Sequence, residues 1–500
     1  MKTFFTFCGF TLFFFSSFHA QVINEEYGGS GVVSVDVALD YDQAFDGAVD
    51  YLNRAVIMAR VYVGAEWHTG LFRMMPDGFP DTSFDGDGIA EYMEMEISNS
   101  MAVGPNGKII VVGGTMGTDG SLDMKLFRVN EDGSIDDTFG DNGTLILPIT
   151  PNTNEGVFDV YIQSDNKILV GGSNGDFLSA QHIIVRLNED GSIDDSFADN
   201  GVFSPTSVST SEYISQIEMN SNGDIYYFAQ TTVGTDYSGI IGKLDENGDL
   251  DTSFGTDGFL NLFDEGYTIE PSSFYLFEDG DIEITGNING PYYSGCKLRF
   301  EANADPDTSY GDNGAVTISG NADVYTYNSY VQADGKTVLL GLTDELVLIR
   351  LNQDGSIDTS FGTQGFWYPG FTTTYDSAVA AAILAGDEMI VLGSSYTFTA
   401  NLFFASVFLN DNNNVAEREK ANVKIFPNPT SAHFSMEIGA ENYTEMYIYN
   451  QLGELIYQEK LVGQNGLIQR DIPAGLSEGV YEIVLISEDG RSSVASLVVN

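Results

Sequence analysis

An aromatic residue returns at a nearly fixed interval through most of this chain: Phe84, Phe139, Phe197, Phe254, Tyr310 and Phe361 are separated by 55, 58, 57, 56 and 51 positions. A period of that length means one supersecondary unit stacked on copies of itself, each copy burying a face it cannot bury alone. The pattern around the anchor is plainest as RVNEDGSIDDTFGDNG at Arg128 to Gly143 and RLNQDGSIDTSFGTQG at Arg350 to Gly365.

Three residues before the anchor stands a carboxylate: Asp81, Asp136, Asp194, Asp251, Asp307 or Asp358. A hydroxyl directly precedes the anchor: Ser83, Thr138, Ser196, Ser253, Ser309 or Ser360. Both residue types cap backbone groups in turns. Four after the anchor is Gly88, Gly143, Gly201, Gly258, Gly314 or Gly365, where a left-handed backbone or a close approach is expected. Eleven before it is a base flanked by apolar residues, namely Arg73, Arg128, Arg186, Lys243, Arg299 or Arg350. A ligand site seldom recurs in every unit, so the base is expected to pair with the repeat aspartate across the turn and hold the fold.

With 55 Gly against 13 Pro and 43% apolar residues, the spaces between motifs read as short strands joined by tight turns. NGKIIVVGG ending at Gly114, NKILVGG at Gly172, GDIEITG at Gly286 and GKTVLLG at Gly341 are the clearest. Counting the run after each repeat glycine, such as Thr144 to Ile149, and a further run such as Phe158 to Gln163, gives four strands per unit, the pattern of a propeller blade.

Strand-like runs at Gly31 to Val37, Phe45 to Leu52, Ala55 to Val63 and Leu71 to Met75 open the series. Those at Phe366 to Phe371, Ser377 to Leu384, Glu388 to Gly393 and Leu402 to Asn410 close it, without the base or the aspartate. The expectation is an all-β, seven-bladed β-propeller over 31–410. An open solenoid is the alternative, but it leaves sheet edges exposed.

Residues 411–421 are polar and asparagine-rich, a linker. Residues 422–500 alternate apolar and polar positions and fit a small immunoglobulin-like β-sandwich. At the other end, Lys2, the apolar run from Phe4 to Phe15 and the small residues before Gln21 read as a signal peptide over 1–20. No later segment is apolar for long enough to span a membrane as a helix.

The DGSIDxSFGxxG unit resembles the delta-60 repeat of bacterial surface and secreted proteins. That family is defined by its repeat, so the resemblance implies a fold and no particular chemistry. Pro427 to Pro429 (PNP), the NQLGEL turn, Gly479 to Tyr481 (GVY) and the terminal apolar strand resemble the type A C-terminal sorting domain of the type IX secretion system. This resemblance implies Sec export, passage across the outer membrane with the type IX secretion machinery as partner through 422–500, and a secreted or outer cell-surface location.

Chemistry is sparse. Beyond the signal, His68, His182 and His433 lie far apart and Cys296 is a single thiol, so a zinc site, a histidine triad and an internal disulfide are poorly supplied. Cys296 is expected to be a buried apolar residue. A run from Ser83 to Gly88 followed by Glu91 and Glu94 faintly resembles a calcium loop; no cofactor is assigned, and weak calcium binding is left open.

There are 73 acidic residues against 20 basic, a net charge of −53, which makes nucleic acid and anionic membrane poor partners. Lys108, Lys167 and Lys336 open recurring strands, so few bases are left for an anion site. Tyr292, Tyr293, Tyr325, Tyr327 and Tyr330 could form a sugar-stacking face or pack between blades. Two functions remain: a noncatalytic binding or scaffold propeller with a glycan or protein ligand, and an extracellular polysaccharide-acting enzyme using propeller carboxylates. No catalytic residue is assigned.

Overall fold

The computed structural model describes residues 22–35, 42–63, 66–93, 95, 97–175, 180–205, 212–233, 236–319, 323–371, 375–384, 387–396 and 400–409 of the N-terminal part. In the C-terminal part it describes 424–426, 433–450, 455–471, 479–487 and 492–499. The signal peptide at 1–20, the linker at 411–421 and the PNP turn lie outside the described residues.

Seven antiparallel sheets form the propeller. In the second blade, Ile97–Val103 is the inner strand, followed outward by Ile109–Met116, Leu122–Val129 and Thr144–Leu147. The inner strands touch one another in succession, and that of the seventh blade (Tyr375–Leu384) touches that of the first (Gln43–Val49). The ring is closed. At the closing junction Ala44, Ile57 and Phe72 of the first blade share one buried cluster with Ala380, Leu392 and Phe404 of the seventh.

The number of blades agrees with the sequence reading, but the division into blades does not. The run after each repeat glycine pairs back onto the preceding strand: Thr144 lies opposite Phe127, and Val202 opposite Val185. It is therefore the outer strand of its own blade rather than the first strand of the next. Tight turn geometry explains this, because a short loop joins antiparallel neighbours.

The same shift moves the first run of the chain. Val32–Val35 pairs with Ala400–Phe408 and forms the outer strand of the seventh blade. The propeller is thus sealed by joining its N-terminal segment to its last blade, which satisfies the edge that an open array would expose.

Each inner strand carries a register shift, between Ala44 and Asp46, Ser98 and Ser100, Val157 and Asp159, Ile214 and Gln216, Pro271 and Ser273, Thr326 and Asn328, and Ala378 and Ala380. A bulge in this place bends the strand and turns the next side chain toward the neighbouring blade.

The described strands of the C-terminal part form one five-stranded antiparallel sheet. Its strand His433–Asn450 breaks register between Ile438 and Tyr443; both halves pair with Leu455–Asp471, while on the other edge the first half pairs with Lys424–Phe426 and the second with Gly479–Ser487. Phe434, Met446, Ile483 and Leu497 are buried together there. Among the described residues no helix is long and apolar enough to cross a membrane.

Candidate functional site

The topology gives the propeller two unlike faces. Turns between the first and second strands and the repeat loops between the third and fourth share one end, the repeat face. Turns between the second and third strands and the connections between blades share the other, the loop face.

On the repeat face the structure brings each base to its aspartate. Nε of Arg73 lies 2.7 Å from Asp81, that of Arg128 2.6 Å from Asp136, that of Arg186 2.7 Å from Asp194 and that of Arg350 2.8 Å from Asp358. Lys243 reaches Asp251 at 3.0 Å, and Arg299 reaches Asp307 at 3.3 Å. The anchor ring completes four of the latches: the guanidinium carbons of Arg73, Arg128, Arg186 and Arg350 stand 4.5, 4.7, 4.5 and 4.6 Å over Phe84, Phe139, Phe197 and Phe361, whereas Lys243 lies over Tyr226 and Arg299 nearer to Phe277 than to Tyr310.

Repeat hydroxyls donate to the aspartates, as Thr138 does to Asp136 at 2.6 Å. Lys108, Lys167 and Lys336 also converge on Asp136, Asp194 and Asp358, at 2.7, 3.0 and 2.8 Å. Burial alone would raise these three carboxyls, but the hydrogen bonds and charges of the bases and hydroxyls hold them below the ordinary carboxylate range.

The latch also joins blades. Arg186 donates to the carbonyl of Glu246 at 2.5 Å, and Arg350 donates to that of Leu409 at 2.6 Å. The residue after each of the first five anchors donates its N–H to the next turn: Asp85 to Asp132, Gly140 to Asp190, Ala198 to Asn247, Gly255 to Asn303 and Gly311 to Asp354. Gly88, Gly143, Gly201, Gly258, Gly314 and Gly365 all have φ between 86° and 96°, the left-handed region that glycine enters without penalty.

Sequence reasoning missed the seventh latch because it is split between the two ends of the propeller. Gly31 donates to Tyr27 and accepts from Ser406, as Gly143 donates to Phe139 and accepts from Arg128. Ile-Asn-Glu-Glu-Tyr-Gly-Gly-Ser-Gly from Ile23 is therefore a divergent copy of the motif, with Tyr27 as its anchor, Asn24 at the aspartate position and Ser406 at the base position. Asn24 donates to Glu388 at 2.7 Å, and Ser406 donates to the same oxygen at 2.7 Å. Gly28 donates to the Asp77 carbonyl and links the seventh blade to the first. The missed signal was the spacing, since Tyr27 precedes Phe84 by 57 positions.

Toward the axis, the side chains beyond the bulges tie neighbouring blades. Asp46 accepts from the Met101 N–H and from Ser100 Oγ, both at 2.9 Å. Ser100 Oγ also lies 3.3 Å from Asp159, which accepts from the Ile217 N–H at 2.7 Å. Gln216 accepts from the Phe274 N–H at 3.0 Å and donates to its carbonyl at 2.9 Å. Burial raises the carboxyls of Asp46 and Asp159, and for Asp159 the charges of Asp46 and Glu218 add to the effect.

The other sequence candidates are dispersed. His182 sits between Glu212 at 2.7 Å and the Tyr227 hydroxyl at 3.1 Å, all three buried at the junction of the third and fourth blades. His68 lies 3.8 Å from Glu91, and the His433 side chain lies outside the described residues. Cys296 is buried, and burial pushes its thiol up to about 12, which makes it a poor nucleophile.

Ser83 and Asp87 spend oxygens within their own turn, on Asp81 and on the Ile89 N–H. Glu94 lies outside the described residues, and among those described no three acidic, thiol or imidazole groups surround one point. The five tyrosines do not share one surface. Tyr293 and Tyr325 stack at 4.5 Å beside exposed Tyr292 on the loop face, whereas the buried hydroxyl of Tyr330 accepts from the Ala381 N–H between blades.

Of the large apolar side chains exposed among the described residues, Trp67, Met93, Met116, Tyr237, Phe263, Tyr292 and Tyr368 lie on the loop face and Tyr51, Phe79 and Ile193 on the repeat face. Phe45 and Phe158 stand exposed at the bulges of two inner strands.

The comparisons agree with this division of the chain. The model described as "Domain of unknown function (DUF5122) beta-propeller" matches residues 104–139, 163–197 and 332–361, and the one described as "Secretion system C-terminal sorting domain" matches 424–500. No curated protein matches the chain.

Among solved structures, the β-propeller domain of the Trilobed protease from Pyrococcus furiosus is 9% identical, with 75% of this chain and 99% of that one covered at a TM-score of 0.41. Polysaccharide lyase Uly1 is 11% identical, with 74% and 90% covered at 0.42. The Nup133 β-propeller domain of Vanderwaltozyma polyspora is 10% identical, with 75% and 97% covered at 0.40. The chain is a seven-bladed propeller protein that carries DUF5122 repeats and ends in a secretion-system sorting domain, which destines it for secretion or the outer surface.

Proposed function

We propose that the exported propeller is a noncatalytic binding protein that holds an extracellular glycan on its loop face. The observation that carries this reading is the unequal distribution of exposed aromatic side chains. Trp67, Tyr237, Phe263, Tyr292 and Tyr368 stand on the loop face, with Trp67 and Tyr237 each six residues before the base of its unit, against Tyr51 and Phe79 on the repeat face, where the repeat residues are spent on latches. Exposed rings present flat apolar area to the C–H faces of sugars, and their hydroxyls and indole N–H groups reach polar partners.

The alternative is a polysaccharide-acting enzyme with carboxylates near the axis. Asp46 and Asp159 accept backbone N–H groups from adjacent blades, so their oxygens are engaged in holding strands. A glycan array followed by product analysis of each retained glycan separates the two. Retention without chain shortening supports the binding role, and any cleavage product formed by the purified chain contradicts it.

A further inference from the structure

The propeller contains 13 basic residues. The six repeat bases, Arg54, the three strand-opening lysines and Lys297 are all ion-paired, and Lys125 is engaged as well. Arg60 is the exception among the described residues. Its guanidinium carbon lies 4.3 Å over the Trp67 ring, and its Nε is buried with no hydrogen-bond partner. In a chain of 73 acidic residues, a guanidinium left without a carboxylate is a departure that needs a cause.

The local fold explains how it is presented. Ala55–Val63 and Glu66–Met74 are the second and third strands of the first blade, and their hairpin ends at the loop face. Arg60 is paired in register with Thr69 and Tyr62 with Trp67, so Arg60, Tyr62 and Trp67 share one side of the hairpin. The Tyr62 and Trp67 rings lie 4.9 Å apart, and Trp67 is 40% exposed.

A guanidinium held over an indole keeps N–H donors for a coplanar pair of acceptor oxygens, the geometry that a carboxylate supplies. The exposed part of the indole can then stack on the ring that bears the carboxylate. We propose that Arg60, Trp67 and Tyr62 form a subsite for a uronate, a carboxylate-bearing sugar unit within the glycan. This rests on the reading of the loop face as a glycan-binding surface. The negative field of the whole chain opposes anions at long range, so discrimination here comes from contact, and it favours scattered uronates over a densely charged polymer.

The test uses the full mature chain and three sets of oligosaccharides of equal length: uronate-containing, sulfated and neutral. The uronate set is expected to bind tightest in titration calorimetry. Arg60→Met is expected to weaken uronate binding about tenfold or more while leaving neutral sugars unchanged, with thermal unfolding confirming a folded propeller. Arg60→Lys is expected not to restore it, because an ammonium lacks the planar fork. Trp67→Ala is expected to weaken all three sets.

Unchanged uronate affinity in Arg60→Met overturns the subsite, as does a preference of the wild type for sulfated sugars. Binding of neutral sugars without any uronate preference overturns the subsite and leaves the loop-face reading standing. Failure of the wild type to bind any sugar overturns both.

Discussion

Six latches and one differ in how they answer the same geometric need. In the blades from the first to the sixth, a base is held against an aspartate on continuous chain, only 8 positions apart in the case of Arg128 and Asp136. At the seventh, the equivalent positions are Ser406 and Asn24, which come from opposite ends of the propeller, bond to each other at 3.2 Å and share Glu388 as acceptor. Local latches can form as each blade folds, whereas the seventh must wait for both ends. A split junction assembled from an amide, a hydroxyl and one acid avoids bringing an unpaired guanidinium and its partner together across the whole chain.

The comparison can be broken at its strongest point first. Arg350→Met leaves Asp358 with Lys336 and Ser360 as its side-chain partners, and it is expected to cost about 3 to 5 kcal/mol in denaturant unfolding, because it removes two buried charge-assisted bonds, one to Asp358 and one to the Leu409 carbonyl. Asn24→Ala takes one donor from buried Glu388, which keeps Ser406, and should cost about 1 to 3 kcal/mol in the same measurement. Equal costs at the two sites would erase the distinction between them.

Gly31→Ala tests whether the N-terminal segment follows the repeat's backbone rule. Its φ is +78°, and a Cβ there would come within 2.2 Å of Ile23 Cγ2, against 2.1 Å from Ile135 for Gly143. A loss of about 1 to 2 kcal/mol is expected at Gly31. Tyr27→Phe should have the smallest effect. The Tyr27 hydroxyl is buried without a hydrogen-bond partner, so its removal is expected to be neutral or stabilising by up to about 1 kcal/mol, read as an unchanged or raised Tm.

Acid distinguishes the same regions. Asp136, Asp194 and Asp358 have folded-state values below the unfolded one, so their contribution is present above about pH 4 and is lost as pH falls from there through the folded values. Asp46 and Asp159 have raised folded values, so their effect has the opposite sign: they favour the folded state at low pH and lose that contribution as pH rises through the folded values. Backbone hydrogen exchange should therefore show the turns held by Asp136, Asp194 and Asp358 losing protection as pH falls below about 4.

Much of this was legible because a repeat displays its constraints several times over. Arg128, Asp136, Phe139 and Gly143 recur together, and periodicity alone located the blades. The blade division was not legible, since Thr144–Leu147 can be read as ending one unit or starting the next until its pairing with Leu122–Val129 is known. The seventh motif was hidden for a physical reason. Ile23 to Gly31 keeps the backbone requirements of the turn, an anchor ring and the left-handed glycine, but replaces the charged pair that made the other copies visible.

The loop-face features were legible only as composition. Five tyrosines close in sequence separate into a surface stack and a contact between blades, because Tyr325 opens its strand at the loop face whereas Tyr330, opposite Val338, lies deeper along it. Arg60 drew no notice in the sequence. Its meaning depends on the partners that the other described bases of the propeller have.

The most direct test of closure is to delete residues 21–31 and follow hydrogen exchange across Ala400–Phe408, leaving Val32–Val35 at the new N-terminus. If Tyr27 and Asn24 build the seventh latch, this strand and the turn at Asp77 should lose protection together while Leu122–Val129 keeps its own. Unchanged protection at both places would contradict the account, and so would equal loss in every blade.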